Sequence, residues 1–184
     1  NARTAVNEYL YARHAPERNK RICVNEIVEA GLNMVAPKDA ALVNEAFKAE
    51  LRRLAEQLYD NQFRGGKSTI TPTGLSAEQT RLAMILAVAM QNKTTEISKE
   101  QARDEDTGTM VLVANNRSGI SDAEAEEIMN KFYTAGIQAA LDEVSARVKD
   151  CTNFTLDKWL EYGLISRDEY NAYQNQYQYY IPLR

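Results

Sequence analysis

Apolar side chains recur along this chain at steps of three and four residues. From Val43 they run Val43, Phe47, Leu51, Leu54 and Leu58, which is one face of a helix with a 3.6-residue repeat. Cys23, Ile27, Ala30 and Met34 show the same spacing earlier, and Ala125, Ile128, Met129 and Phe132 show it later. Ile137, Leu141, Val144 and Val148 repeat it once more. Start signals agree with this periodicity. A capping box, in which Ser or Thr precedes a helix and Glu or Gln follows three residues on, appears at Ser76–Gln79, Ser98–Gln101, Ser121–Glu124 and Ser166–Glu169. Gly65–Gly66 and Gly163 supply stops, and Pro37 suits a first helical turn.

Helices are therefore expected near 2–14, 17–34, 38–62, 76–92, 122–134, 137–149, 155–162 and 167–178, with Pro16 either kinking or separating the first two. The expected fold is all-α, an irregular helical bundle of about six to eight helices with at most one short β-hairpin. Two stretches break the pattern. Residues 64–75 (RGGKSTITPTGL) combine turn formers with β-branched residues, and 104–119 contain a strand candidate at Thr109–Ala114. A β-hairpin or a mobile loop fits either stretch. Residues 98–103 read as polar and helical.

Composition adds limits. The 44% apolar and 26% charged content is that of an ordinary globular chain, so a packed core is expected. The net charge of −4 argues against a general polyanion binder, which normally carries a basic excess. Charge is uneven, with five basic and two acidic residues in 1–21, and nine acidic and three basic from Glu96 to Glu127. A solvated face accounts for such runs. The longest apolar run, Leu82–Met90, is far shorter than the roughly twenty residues of a membrane span. Cys23 and Cys151 are distant and outside any CxxC pair, which favours two free thiols, in a reducing environment, over one disulfide. No signal peptide is expected, and a chain beginning with Asn1 reads as a processed product or part of something longer.

Candidate chemistry is sparse. Gly65-Gly66-Lys67-Ser68-Thr69 looks like the end of a phosphate-binding loop. That loop needs a glycine where Asn61 stands, a strand before it and a helix after it. Asp104, Asp106 and Gly108 fit a calcium loop poorly, because its twelfth position is Asn115 instead of Glu. His14 is the single histidine. It forms a His-x-x-Glu pair with Glu17 across Pro16, too little for zinc, and a structural role is favoured. No nucleophile motif surrounds it. No catalytic residue, metal site or cofactor is assigned. Six of the ten tyrosines fall between Tyr162 and Tyr180, where Tyr170, Tyr173 and Tyr177 share a helix face with few basic neighbours, so packing is favoured over base stacking.

Three stretches together resemble a helical segment of the very large, multi-domain polyvalent proteins of tailed phages and related mobile elements, which include virion proteins ejected with the genome. They are Tyr9–Asn19 (YLYARHAPERN), Ser118–Ala125 (SGISDAEA) and Gly163–Tyr170 (GLISRDEY), closed by Tyr179–Arg184. The likeness covers roughly 1–22 and 118–184. It implies a setting rather than a reaction, because catalysis in such proteins belongs to separate domains. On this footing 1–35 with 116–184 would form a helical core unit, and 36–115 a helical insert or side lobe with mobile loops.

The expected function is a non-catalytic structural and interaction module of a large phage virion protein, ejected or internal. Its expected partners are other segments of the parent polypeptide or other virion proteins, in the virion interior or the infected bacterial cell. The candidate interaction residues are Arg13, His14, Glu17, Arg18, Trp159, Tyr170, Tyr173, Tyr177 and Tyr180. The alternative is a nucleic-acid-contacting helical module, resting on Arg3, Arg13, Arg18, Lys20 and Arg21, with weak DNA contact. A third reading is an enzyme whose carboxylate site matches no familiar motif. The first helix, around Tyr9 and Leu10, is expected to pack on the late helices near Trp159 or the tyrosine face, with Arg13 or Arg18 pairing to Asp157 or Glu161.

Overall fold

The computed structural model of the chain describes residues 2–103, 108–112 and 116–176. The fold is all-α. Helix α1 spans Ala2–Leu32, a 3-10 helix Pro37–Leu42, α2 Glu45–Phe63, α3 Ala77–Lys99, α4 Asp122–Thr134, α5 Gln138–Glu161 and α6 Arg167–Gln176. One short antiparallel pair, β1 (Gln101–Arg103) with β2 (Met110–Leu112), aligns Ala102 with Val111.

Several boundaries differ from expectation, each for a local reason. Of the two readings of Pro16, separation does not hold, since it lies inside α1. The helix expected at 38–62 divides. The segment after Pro37 is a 3-10 turn, and α2 begins afresh where the Asn44 side chain accepts a hydrogen bond from the Phe47 amide at 2.9 Å. Ser98 caps nothing. Its hydroxyl donates back to the Thr95 carbonyl at 2.7 Å within α3, and residues 101–103 are strand, not helix. The two helices expected at 137–149 and 155–162 are one, and Thr152 and Thr155, at the expected gap, donate to the carbonyls of Val148 and Cys151 within it. The boxes at Ser76–Gln79 and Ser166–Glu169 form as expected. Residues 64–75 hold no strand.

The chain divides into two compact units, Ala15–Asp122 and Asn1–His14 with Ala123–Arg184, so the divisions fall inside α1 and at the start of α4. The first of these holds the larger core. Cys23, Val24 and Ile27 of α1 meet Phe47, Leu51, Leu54 and Leu58 of α2 and Leu82, Leu86, Met90 and Ile97 of α3. The α2 members are the stripe the periodicity identifies. Burying each such side chain contributes about 1.5–3 kcal/mol. Helices α1 and α3 approach closely at Gly31, where a Cβ would stand 2.8 Å from Met90 Cγ.

In the other unit Tyr9 and Leu10 pack with Phe132 and Leu141, the Tyr9 and Phe132 rings meeting edge to face at 5.6 Å. The first helix therefore meets α4 and the start of α5, not Trp159 or the tyrosine face. Arg13 pairs with Asp142 at 2.5 Å in place of Asp157 or Glu161. Asp157 instead accepts a hydrogen bond from Tyr170 at 2.6 Å.

Candidate functional site

Among the sequence-derived candidates, Arg13 is the most firmly placed. Its guanidinium and the Tyr9 hydroxyl both donate to Asp142 Oδ1, each at 2.5 Å. Burial, reinforced by this bond to a carboxylate, pushes the Tyr9 phenol up to about 12. The triad ties α1 to α5 and leaves Arg13 half-buried. His14 is buried, and Glu17 and Arg18 are half-buried. The neighbouring Lys20 reaches Asp60 at 2.8 Å. Two of the five basic residues of the N-terminal run thus face carboxylates of their own chain, which lowers their value for phosphate contact.

On α5 and α6, Tyr170 bonds Asp157 and lies under Arg167, whose guanidinium carbon is 5.7 Å from the ring centroid. Tyr173 is more open, and Trp159 is 43% exposed although Leu156 beside it is buried. Phe154, Tyr162 and Leu164, on or just after α5, are exposed as well. Tyr177 and Tyr180 lie outside the described residues, as do Asp104 and Asp106.

Three polar clusters escaped the sequence reading. Asn19, fully buried on α1, accepts from the Ser118 amide at 2.6 Å and donates to the Ile120 carbonyl and to Asp122 Oδ1 at 3.1 and 2.9 Å. It joins the first resembling stretch to the second. An asparagine midway along a helix is the signal that could have found it, since that residue favours caps and turns. Arg117 bridges Glu26 at 3.1 Å and Glu100 at 2.7 Å. Below it Cys23 is buried. Desolvation pushes its thiol up to about 11 despite the opposing pull of Arg117, so it is a poor nucleophile.

Glu50 forms the third cluster. It lies on the apolar face of α2, three residues after Phe47, and takes two bonds from Arg53 and one from the Thr73 amide at 2.7 Å. Arg53 in turn donates to the Thr71 carbonyl at 2.8 Å. The Arg53 bonds, more than the opposing cost of burial, hold the Glu50 carboxyl below the usual carboxylate range. The pair clamps the strap 64–75 on either side of Pro72. The strap's Ile70 and Pro72, with Leu58 of α2 and Met84, Ala87 and Val88 of α3, line a surface groove of about 200 Å³.

The phosphate-loop resemblance has no geometric support. The amides of Gly66 and Ser68 are taken by the Asp60 carbonyl and Asn61 Oδ1, so they do not converge on an anion, and a helix precedes them. Among the described residues, no group of three or more His, Cys, Asp or Glu is placed to hold a metal, and no helix is long and apolar enough to cross a membrane. Comparison with family models, curated proteins and solved structures finds no match to this chain.

Proposed function

We propose that this chain is a non-catalytic structural and interaction module of a large phage virion protein, ejected or internal, docking on neighbouring segments of its parent polypeptide or on other virion proteins. The virion setting is supported by the three resembling stretches, two of which Asn19 ties together. The docking role is carried by one observation: Phe154, Trp159, Tyr162 and Leu164 stand 63%, 43%, 72% and 69% exposed around the end of α5. Large apolar side chains in such a group mark contact sites, and tryptophan and tyrosine are the residues on which binding energy concentrates.

Trp159 is the only tryptophan, so its emission reports on this surface alone. In the parent polypeptide, or on addition of a virion protein that binds, Trp159 emission is expected to shift to shorter wavelength and resist acrylamide quenching. Trp159→Ala with Tyr162→Ala is expected to weaken that association at least tenfold, about 1.4 kcal/mol. Unchanged emission and quenching in the parent polypeptide would defeat the reading.

A further inference from the structure

Helix α3 is apolar on two sides, and only one is covered. Leu82, Leu86, Met90 and Ile97 enter the core, while Met84, Ile85 and Val88 are 60%, 60% and 63% exposed. A second stripe runs the length of the helix through Glu78, Arg81, Ile85, Val88, Asn92, Glu96 and Lys99, every one of them exposed. Its steps of three and four keep it within about 80° of arc at 100° per residue. That is the spacing of a helix seam, apolar in the middle and charged at both ends.

The charges have a direction. The order from one end is acid, base, apolar pair, Asn, acid, base. Laid antiparallel on a second copy with Val88 beside its own counterpart, Glu78 faces Lys99 and Arg81 faces Glu96, and the two-fold repeats both pairs. A parallel arrangement would instead set each charge against its like, which is costly. Glu78, Arg81 and Lys99 have no ion-pair partner within the chain among the described residues, and Glu96, bridged to Lys93 at 3.0 Å, is largely exposed. Asn92 beside Ile85 of the other copy is the polar interruption that fixes register at some cost in stability.

We propose that the chain self-associates through this stripe, two α3 helices packing antiparallel about Val88. The occupant is a second copy because the charge order complements its own reversal. The groove beside Val88 widens the apolar contact. The stripe spans Glu78 to Lys99, about 33 Å at 1.5 Å per residue, with two apolar side chains at its centre, so association is expected to be weak, in the micromolar range. This surface is distinct from the one around Trp159, so neither depends on the other.

The test is sedimentation equilibrium of the whole chain from micromolar to submillimolar concentration, with circular dichroism to show each variant folded. The wild type is expected to pass from monomer to dimer, and Val88→Asp to stay monomeric. Arg81→Glu is expected to weaken the dimer at least tenfold, and adding Glu96→Arg to the same chain to restore it. In a Cys151→Ser background, Val88→Cys is expected to cross-link between copies and Glu78→Cys is not. A monomer throughout, a dimer indifferent to Val88→Asp, or a reversal that fails to rescue would each overturn the proposal. None of these results alters what Trp159 reports on the docking surface.

Discussion

Asn19 and Glu50 carry more of the architecture than their types suggest. Removing the Asn19 amide deletes its bonds to the Ser118 amide, the Ile120 carbonyl and Asp122 at a fully buried position, and each such bond is worth about 1 kcal/mol. Asn19→Ala is therefore expected to lower unfolding free energy by about 2–3 kcal/mol, measured by urea denaturation. Asn19→Asp should recover little, since it cannot donate to Ile120. Glu50 acts as an anion. Its carboxyl sits below the ordinary range in the folded state, so its contribution is fully present above the ordinary carboxylate pKa and is lost as pH falls through the depressed folded value. Glu50→Gln is expected to lower stability at neutral pH by about 1–3 kcal/mol and to speed hydrogen exchange at Thr73. The gap from wild type should close in acid. A gap that stays constant down to strongly acidic pH would mean the clamp is not electrostatic. Asn19 gave only a faint signal in the sequence, a cap-forming residue in mid-helix, and Glu50 gave none, for the same reason. A polar residue among apolar ones looks like noise until its distant partner is known.

At the scale of elements, periodicity located the helices well and their ends less well. The stripe Phe47, Leu51, Leu54 and Leu58 is buried as read, because a face repeating every 3.6 residues has only one way to leave water. Ends depend on single hydrogen bonds, and there competing choices look alike. Ser76 and Ser98 both start a box-like pattern, yet Ser76 bonds the amide three residues on and opens α3, whereas Ser98 lies inside α3 and bonds back to Thr95. Ser76→Ala is expected to destabilise the chain by about 1 kcal/mol, and Ser98→Ala to leave it within about 0.5 kcal/mol, in parallel thermal melts. The joining of two expected helices into α5 has a similar origin. The threonines at 152 and 155, at the gap between the two expected helices, spend their hydroxyls on the helix's own carbonyls. The strand near Thr109 was legible in part, as β2, but its partner strand was not. Residues 101–103, Gln-Ala-Arg, are too few and too weakly apolar to announce it.

For the whole molecule, composition spoke to class and was silent on grouping. Which residues of α1 join which unit is decided by contacts far away in sequence. Cys23, Val24 and Ile27 meet α2 and α3, whereas Tyr9 and Leu10 meet α4 and α5. Of the interaction candidates, Trp159 is exposed where the first helix was expected to cover it, while Arg13 is committed inside its own unit. Net charge has its consequence at this scale. With −4 overall and both Arg13 and Lys20 facing carboxylates, duplex DNA is expected to bind only weakly at physiological salt. Tight binding in a fluorescence anisotropy titration, with a steep loss on added salt, would promote the nucleic-acid reading to first place. The two thiols differ in a way that serves any of these measurements. Cys23 is sealed in the core with its proton held tightly, and Cys151 stands on the surface of α5. A maleimide dye applied to the folded, unmutated chain should therefore attach at one position. The protein comes with its own labelling site, eight residues from the tryptophan best placed to exchange energy with it.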